Sequence, residues 1–203
     1  MPARFRNGLA RYFTPEQLAA LSSAKIGIAG AGGLGSNAAM LLARSGIENF
    51  IIVDHDHVEP SNLNRQHYWP DHLGLPKVEA LAAQLLALND QIRIEKLQQQ
   101  LEPDSMAAIA GKANIWVEAL DAPETKKMFV ESALLAGAKV AAASGLAGFG
   151  GPPMRKRRSD NLIIVGDYVT SIEMAPPLAP RVTQAAALLA DSVLEFILGP
   201  APR

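Results

Sequence analysis

Ile26-Gly-Ile-Ala-Gly-Ala-Gly-Gly-Leu-Gly35 is answered about twenty residues later by Ile51-Ile-Val-Asp-His-Asp56. A short apolar run enters a turn with glycines at the G-x-G-x-x-G spacing, and a helix-forming stretch follows. Gly30 permits the tight turn, Gly32 lets backbone approach a phosphate, and Gly35 lets the helix pack close to the strand. The helix that follows turns free N–H groups and its positive dipole end toward an anion. Asp54 closes the second apolar run, where an acidic side chain accepts hydrogen bonds from a ribose. The pair of stretches predicts a nucleotide-binding βαβ unit and leaves the nucleotide unspecified.

Outward from this unit, strands and helices alternate. Thr14-Pro-Glu-Gln reads as a helix start, with Thr14 as N-cap and Pro15 in the first turn. Strands are expected at 25–29, 49–53, 92–97, 114–120, 139–143 and 161–165. Helices are expected at 34–45, 76–88, 103–110, 123–136 and 181–198, several of them ending at a glycine. Strand 49–53 is apolar throughout, as a parallel strand covered on both faces must be. The fold class is therefore α/β, a doubly wound, mostly parallel Rossmann-like sheet with helices on both faces. No repeat or linker divides residues 1–203, so one domain is expected, with an N-terminal arm and helix over 1–24. Residues 54–75 and 144–180 lack regular periodicity, and long connections of this kind are usually functional.

Composition sets further bounds. The 203 residues suffice for one full core, and a net charge of −1 gives no global argument for nucleic acid or a membrane surface. No apolar run reaches membrane-span length and no signal segment is evident, so a cytoplasmic protein is expected. The chain contains no cysteine, which excludes disulfides, thiolate-ligated zinc and a thiolate nucleophile on this chain. His55 and His57 alternate along an extended segment and read either as a metal pair or as solvated loop histidines.

In a sheet of order 3-2-1-4-5 the ligand crevice lies between strands one and four, outside their carboxyl ends. The glycine turn follows strand one and Asp121 follows strand four. A carboxylate facing a polyphosphate is repulsive unless a cation intervenes, so Asp121 suggests Mg²⁺; its other reading is a cap for the next helix. Lys77 sits in a first helical turn, against the local dipole, which points to an anion able to override that preference. Arg65 lies among amide side chains in Asn62-Leu-Asn-Arg-Gln66, a cluster suited to phosphate or ribose. These cations and Asp121 favour ATP over a nicotinamide dinucleotide.

Gly30-Ala-Gly-Gly-Leu-Gly35, Val53-Asp-His-Asp56, Ser61-Asn-Leu-Asn-Arg-Gln66, Gly74-Leu-Pro-Lys77 and Glu118-Ala-Leu-Asp121 occur in this order over nearly the whole chain. In this the chain resembles the ThiF/MoeB/HesA superfamily of ubiquitin-activating-type adenylating enzymes, and most closely its short branch of adenylyltransferases for the sulfur carrier ThiS. The resemblance implies that Gly30, Gly32, Gly33 and Gly35 line the ATP phosphates and that Asp54 holds the ribose. It further implies that Asn62, Arg65, Gln66 and Lys77 contact the phosphates, that Arg65 and Lys77 meet charge developing during transfer, and that Asp121 holds Mg²⁺. Arg6, with Arg4 and Arg11 as neighbours, would reach the ATP of a second subunit, which implies a homodimer. The implied reaction is adenylation of the C-terminal Gly-Gly carboxylate of a ubiquitin-like sulfur carrier protein, in thiamine or related sulfur metabolism.

The chain departs from the family pattern in lacking both zinc-binding Cys-x-x-Cys pairs and a catalytic cysteine, so no zinc is expected and the chemistry should stop at the acyl-adenylate. Glu118 is unexpected in an apolar strand and implies either a cation partner or an edge position. The basic run Met154-Arg-Lys-Arg-Arg158 reads as a docking face for an acidic carrier or as a solvated loop. Rival readings are adenylation of another target, whether a molybdopterin-synthase carrier or tRNA threonylcarbamoyladenosine, an NAD(P)- or FAD-dependent oxidoreductase, and a silent partner subunit. Four clustered cations on a nearly neutral chain give little support for a nucleic-acid substrate.

Overall fold

The computed structural model describes residues 3–200. Two helices open the chain, α1 (Ala3–Leu9) and α2 (Pro15–Ser23). α2 begins with a reciprocal cap: the Gln17 amide N–H donates to Thr14 Oγ1 and the Thr14 amide donates to Gln17 Oε1. Then come β1 (Lys25–Ala29), α3 (Gly33–Arg44), β2 (Asn49–Val53), α4 (Lys77–Leu88), β3 (Arg93–Leu97) and α5 (Pro103–Ala110). The second half holds β4 (Ile115–Glu118), α6 (Pro123–Leu135), β5 (Lys139–Ala143), β6 (Arg155–Ser159), β7 (Leu162–Gly166) and α7 (Ala179–Leu198). The sheet order is β3-β2-β1-β4-β5-β7-β6, parallel except for the final β7–β6 pair. The expected 3-2-1-4-5 order thus holds, and β1 and β4 flank the point where strand order reverses.

The strands alternate between two cores with period two. Ile26, Ile28, Phe50, Ile52, Ile115 and Val117 point to the face covered by α2, α3, α4 and α7. Ile51, Val53, Trp116, Val140 and Ala142 point to the face covered by α5 and α6. Gly27 occupies a place on that second face where a Cβ would meet the Trp116 ring at 2.2 Å. The ring packs edge-on against Phe129, and its indole N–H donates to the Ala110 carbonyl at 2.9 Å. A bulky indole is thereby accommodated on a central strand with its one polar group satisfied.

Two open readings of the sequence are decided here. The basic run 154–158 is not a free loop: it forms the edge strand β6. Lys156 pairs with Asp191 and Glu195, and Arg158 pairs with Glu195, so two of its cations are tied to α7. Charges on an edge strand also discourage pairing with another sheet. Glu118 is fully buried on a central strand, and its expected cation partner is Lys126 Nζ at 2.5 Å.

A second buried ion pair lies at the carboxyl end of β7, between Asp167 and Arg181. Burial drives the Asp167 carboxyl upward. The Thr170 hydroxyl, the Thr170 and Val169 amides and the Arg181 guanidinium outweigh that and hold it at about 2, against an ordinary 3.8. The folded-state value is depressed, so the stabilisation is complete above about pH 4 and is lost as pH falls through about 2. Urea unfolding across that window should show Asp167 contributing about 2 kcal/mol to the acid limb. The Asp167→Asn protein should lack that component, and an unchanged acid limb in the variant would contradict the assignment.

Candidate functional site

The crevice is built on the Gly30 turn. Gly30 has φ +93°, and a Cβ there would stand 2.6 Å from the Ala119 carbonyl oxygen at the end of β4. The residue must be glycine on both counts. Gly35 fits as closely from the other side: a Cβ would lie 1.8 Å from the Gly30 carbonyl oxygen. Gly32 is different, since a Cβ there would approach only Gln66 Nε2, at 3.7 Å. The turn is thus close-packed toward the sheet and open above Gly32, on the side facing the polar connection.

Ala31 is gripped at both ends of its peptide unit. Its N–H donates to Asp54 Oδ2 at 2.6 Å, and its carbonyl accepts the Tyr68 hydroxyl at 2.7 Å. Asp54 Oδ1 also accepts the Asp56 N–H at 2.8 Å. Carboxylate oxygens have further lone pairs, so these bonds leave Asp54 acceptor capacity for a ribose hydroxyl. Burial, and then the charges of Asp54 and Asp56, push the Tyr68 phenol well above its ordinary value, so it stays a neutral donor. Nothing in the spacing of the sequence pointed to Tyr68.

The connection 54–75 folds back over the start of α3. Asn37 Nδ2 donates to the Gly33 and Arg65 carbonyls at 2.7 and 2.9 Å. Ser36 Oγ donates to the Gly32 carbonyl and accepts the His67 amide N–H. Arg65 therefore rests on the turn, its Cγ 3.5 Å from where a Gly33 Cβ would be. Its Nη1 donates to the Ser61 carbonyl and to Asn64 Oδ1, at 3.0 and 2.8 Å. Gln66 is buried beside Gly32, and among the described residues its Oε1 has no hydrogen-bond partner. Asn62 is buried too, but its Oδ1 accepts the Glu59 amide N–H, so its visible role is to hold the local turn.

Lys77 opens α4 and is 6% exposed, which for a lysine demands a counter-charge. Asp56 supplies it at 2.6 Å. The anion inferred from the position of Lys77 thus has a resident form within the chain. Partial burial raises the Asp56 carboxyl, but Lys77, with His55 and His57 nearby, draws it below its ordinary value. His55 pairs with Asp56 at 3.1 Å, and His57, likewise exposed, sits in a backbone bridge to Pro76. Among the described residues, the set close enough to share a cation is Asp54, His55 and Asp56, and Asp54 and Asp56 are already engaged as above.

Asp121 is exposed at the β4–α6 turn. The N-cap of α6 is Ala122 with no side-chain cap bond, so Asp121 is not that helix's cap; its Oδ1 accepts the Ala122 amide N–H. Glu118, buried beneath this turn, accepts the Leu120 amide N–H at 2.8 Å and pairs with Lys126. Burial raises the Glu118 carboxyl, with Lys126 and the Leu120 amide opposing. Arg6 and Arg11 are exposed near the N-terminus, and the side chain of Arg4 lies outside the described residues.

With this geometry in view, comparison with known proteins is decisive for the family. The ThiF family model matches residues 6–202. The chain belongs to the ThiF family. It is 34% identical over 126 residues to the adenylyltransferase and sulfurtransferase UBA4 of Yarrowia lipolytica, covering 62% of this chain and 32% of that protein. It is 34% identical over 108 residues to the SAMP-activating enzyme E1 of Haloferax volcanii, covering 53% of this chain and 40% of that one. The match thus spans well under half the length of these curated relatives. The fold is that of Escherichia coli tRNA N6-threonylcarbamoyladenosine dehydratase in complex with ATP, with a TM-score of 0.86 and 22% identity over 97% of this chain and 94% of that one.

The two ends of this ThiF-family glycine turn should respond differently to one added methyl group. Gly35→Ala forces backbone apart and should cost about 1–3 kcal/mol, lowering the thermal midpoint by several degrees. Gly32→Ala meets no backbone and should melt with the wild type. Thermal melts that rank the two in the opposite order would contradict the packing described.

Proposed function

We propose that the chain is an ATP-dependent adenylyltransferase that activates the C-terminal Gly-Gly carboxylate of a ubiquitin-like sulfur carrier protein of the ThiS type. The observation that carries this is the open face of Gly32, bordered by the Gln66 amide Nε2 and by Arg65 resting on Gly33. A backbone surface free of Cβ atoms beside a guanidinium suits a phosphate chain. The names of the curated relatives, which include adenylyltransferases and modifier-activating enzymes, support the same class.

In the proposed reaction the carrier's carboxylate oxygen bonds to the α-phosphorus of ATP. The bond to the bridging oxygen breaks, and pyrophosphate leaves with that electron pair. No protein nucleophile is needed, and the sequence offers no cysteine for a thioester or persulfide. The protein's work is to position and to neutralise. Asp54 accepts from the ribose, Gly30, Gly32, Gly33 and Gly35 line the phosphates, and Gln66 offers its amide. Arg65 and Lys77 meet the negative charge that grows on the leaving group. Asp121, exposed and free of a helix-capping bond, fits a single-carboxylate Mg²⁺ site completed by phosphate oxygens and water, where the ion would offset polyphosphate charge. Asn62 keeps the turn that presents Arg65. In a homodimer Arg6 would act on the partner's nucleotide. Among the described residues no helix is long and apolar enough to cross a membrane.

ATP–pyrophosphate exchange against a panel of Gly-Gly-ending carriers, with Mg²⁺ and with chelator, tests this reading. Exchange should need both carrier and metal. Arg65→Ala and Lys77→Ala should each slow it by about two to three orders of magnitude. Gly32→Ala should weaken ATP binding while folding normally. Exchange with no carrier, or an unimpaired Lys77→Ala protein, would refute the assignment.

A further inference from the structure

At the carboxyl ends of β5 and β7, on the same edge of the sheet as the glycine turn, lies a buried polar knot. Asp167 Oδ1 accepts the Val169 and Thr170 amide N–H groups, each at 2.8 Å. Asp167 Oδ2 accepts the Thr170 hydroxyl at 2.6 Å and pairs with Arg181 Nη2. Thr170 Oγ1 accepts the Ala147 N–H at 3.0 Å, and Arg181 donates through Nη1 and Nη2 to the Pro152 carbonyl at 3.2 Å. Ala147 and Pro152 are the two feet of one short loop, Gly148-Phe-Gly-Gly151. Both feet are pinned to the same carboxylate, one through Thr170 and the other through Arg181.

The backbone is shaped to allow it. Gly145 has φ +79°, and a Cβ there would lie 2.1 Å from Asp167 Oδ1. Gly148 and Gly150 are left-handed at +72° and +59°, and Tyr168 holds φ +63° without being glycine. The loop's outward side is bare, with Phe149 82% exposed. On α7 the residue after Arg181 is Val182, whose Cγ1 would stand 2.9 Å from a Gly33 Cβ. One helical turn therefore touches the phosphate-lining glycines with Val182 and holds the loop with Arg181.

Buried ion pairs contribute little net stability, and an apolar pair of similar volume would often serve as well. What the Asp167–Arg181 fork supplies is geometry: a planar guanidinium that bonds a carboxylate and a carbonyl together. We propose that Asp167 and Arg181 are positioning residues that fix the 147–152 loop relative to the glycine turn, so that the carrier's extended carboxyl-terminal tail is presented to the nucleotide. The proposal rests on the adenylation reading above. Neither residue touches the nucleotide side of the turn; their influence runs through the loop and through Val182.

Arg181→Lys and Asp167→Asn test it, each checked for a cooperative thermal melt. Lysine keeps the charge and loses the fork, so it remains informative should the Asp167 variant fail to fold. Three quantities are read: ATP affinity by calorimetry, hydrogen exchange of the 147–151 and 167–170 amides, and KM for carrier in ATP–pyrophosphate exchange. We expect ATP affinity within about threefold of wild type, loop amides exchanging at least about tenfold faster, and carrier KM raised about tenfold to a hundredfold. Loop exchange at the wild-type rate, or ATP affinity falling in step with carrier KM, would overturn the positioning role. So would an active variant with unaltered carrier KM. A wild-type protein silent with every carrier would instead overturn the adenylation reading, and the tail-positioning role with it.

Discussion

The bond from the Ala31 N–H to the buried Asp54 carboxylate is the constraint on which the crevice hangs. It joins the end of β1 to the end of β2 at the point where the chain leaves the sheet. The same carboxylate receives the Asp56 amide and so sets where the long connection begins. Asp56 then holds Lys77 at the start of α4, and Tyr68, from the middle of that connection, returns to the Ala31 carbonyl. The loop is closed: turn, strand end, connection and helix start are each fixed by a bond leading back to Ala31 or Asp54. The Ala31 N–H and carbonyl cannot be left bare in a buried place, and both are satisfied by side chains, Asp54 and Tyr68, that also tie the connection to the turn.

The close packing of the glycines makes this arrangement sensitive in a particular direction. Gly30 and Gly35 have neighbours on the sheet side that exclude even a methyl group, whereas Gly32 looks onto open space. Packing and binding thus divide between glycines that look equivalent in the sequence. The motif spacing announces the turn and cannot say which glycine serves which end.

Legibility followed the range of the physical signal. Apolar periodicity and helix-cap chemistry are local, and they placed β1, α3, β2 and α4 to within a residue or two. The strand order followed from the Rossmann-type glycine turn, since alternation of strand and helix alone also permits the order 2-1-3-4-5. β6 escaped because its residues are held by ion pairs to α7, so the run of four cations carries no alternation of apolar and polar residues. Glu118 announced itself as an anomaly, but its partner lies on the next helix and had to be seen. Tyr68 and the Asp167–Arg181 pair gave no signal at all. Each acts on residues remote in sequence, through single polar atoms that neither composition nor period records.

The cations around the crevice are not equivalent. Lys77 is paired with Asp56, Lys126 with Glu118, and Arg181 with Asp167. Each pair is nearly neutral from a distance, so none alone creates a strong field for an anion. Arg65 is the exception among them: its polar contacts are the Ser61 carbonyl and the Asn64 amide oxygen, dipoles rather than charges. A phosphate arriving over Gly32 would therefore meet, among the described residues named here, one uncompensated charge at Arg65. It would gain Lys77 only by sharing that ammonium with Asp56. An ammonium carries three donors on a flexible stem, and sharing does not require it to leave its carboxylate. On this argument Arg65 governs capture of the anion, and Lys77 adds most where charge grows beyond what the resident Asp56 already balances. A site built so holds its cations quiet in the free protein and still has charge in reserve for the step in which charge develops.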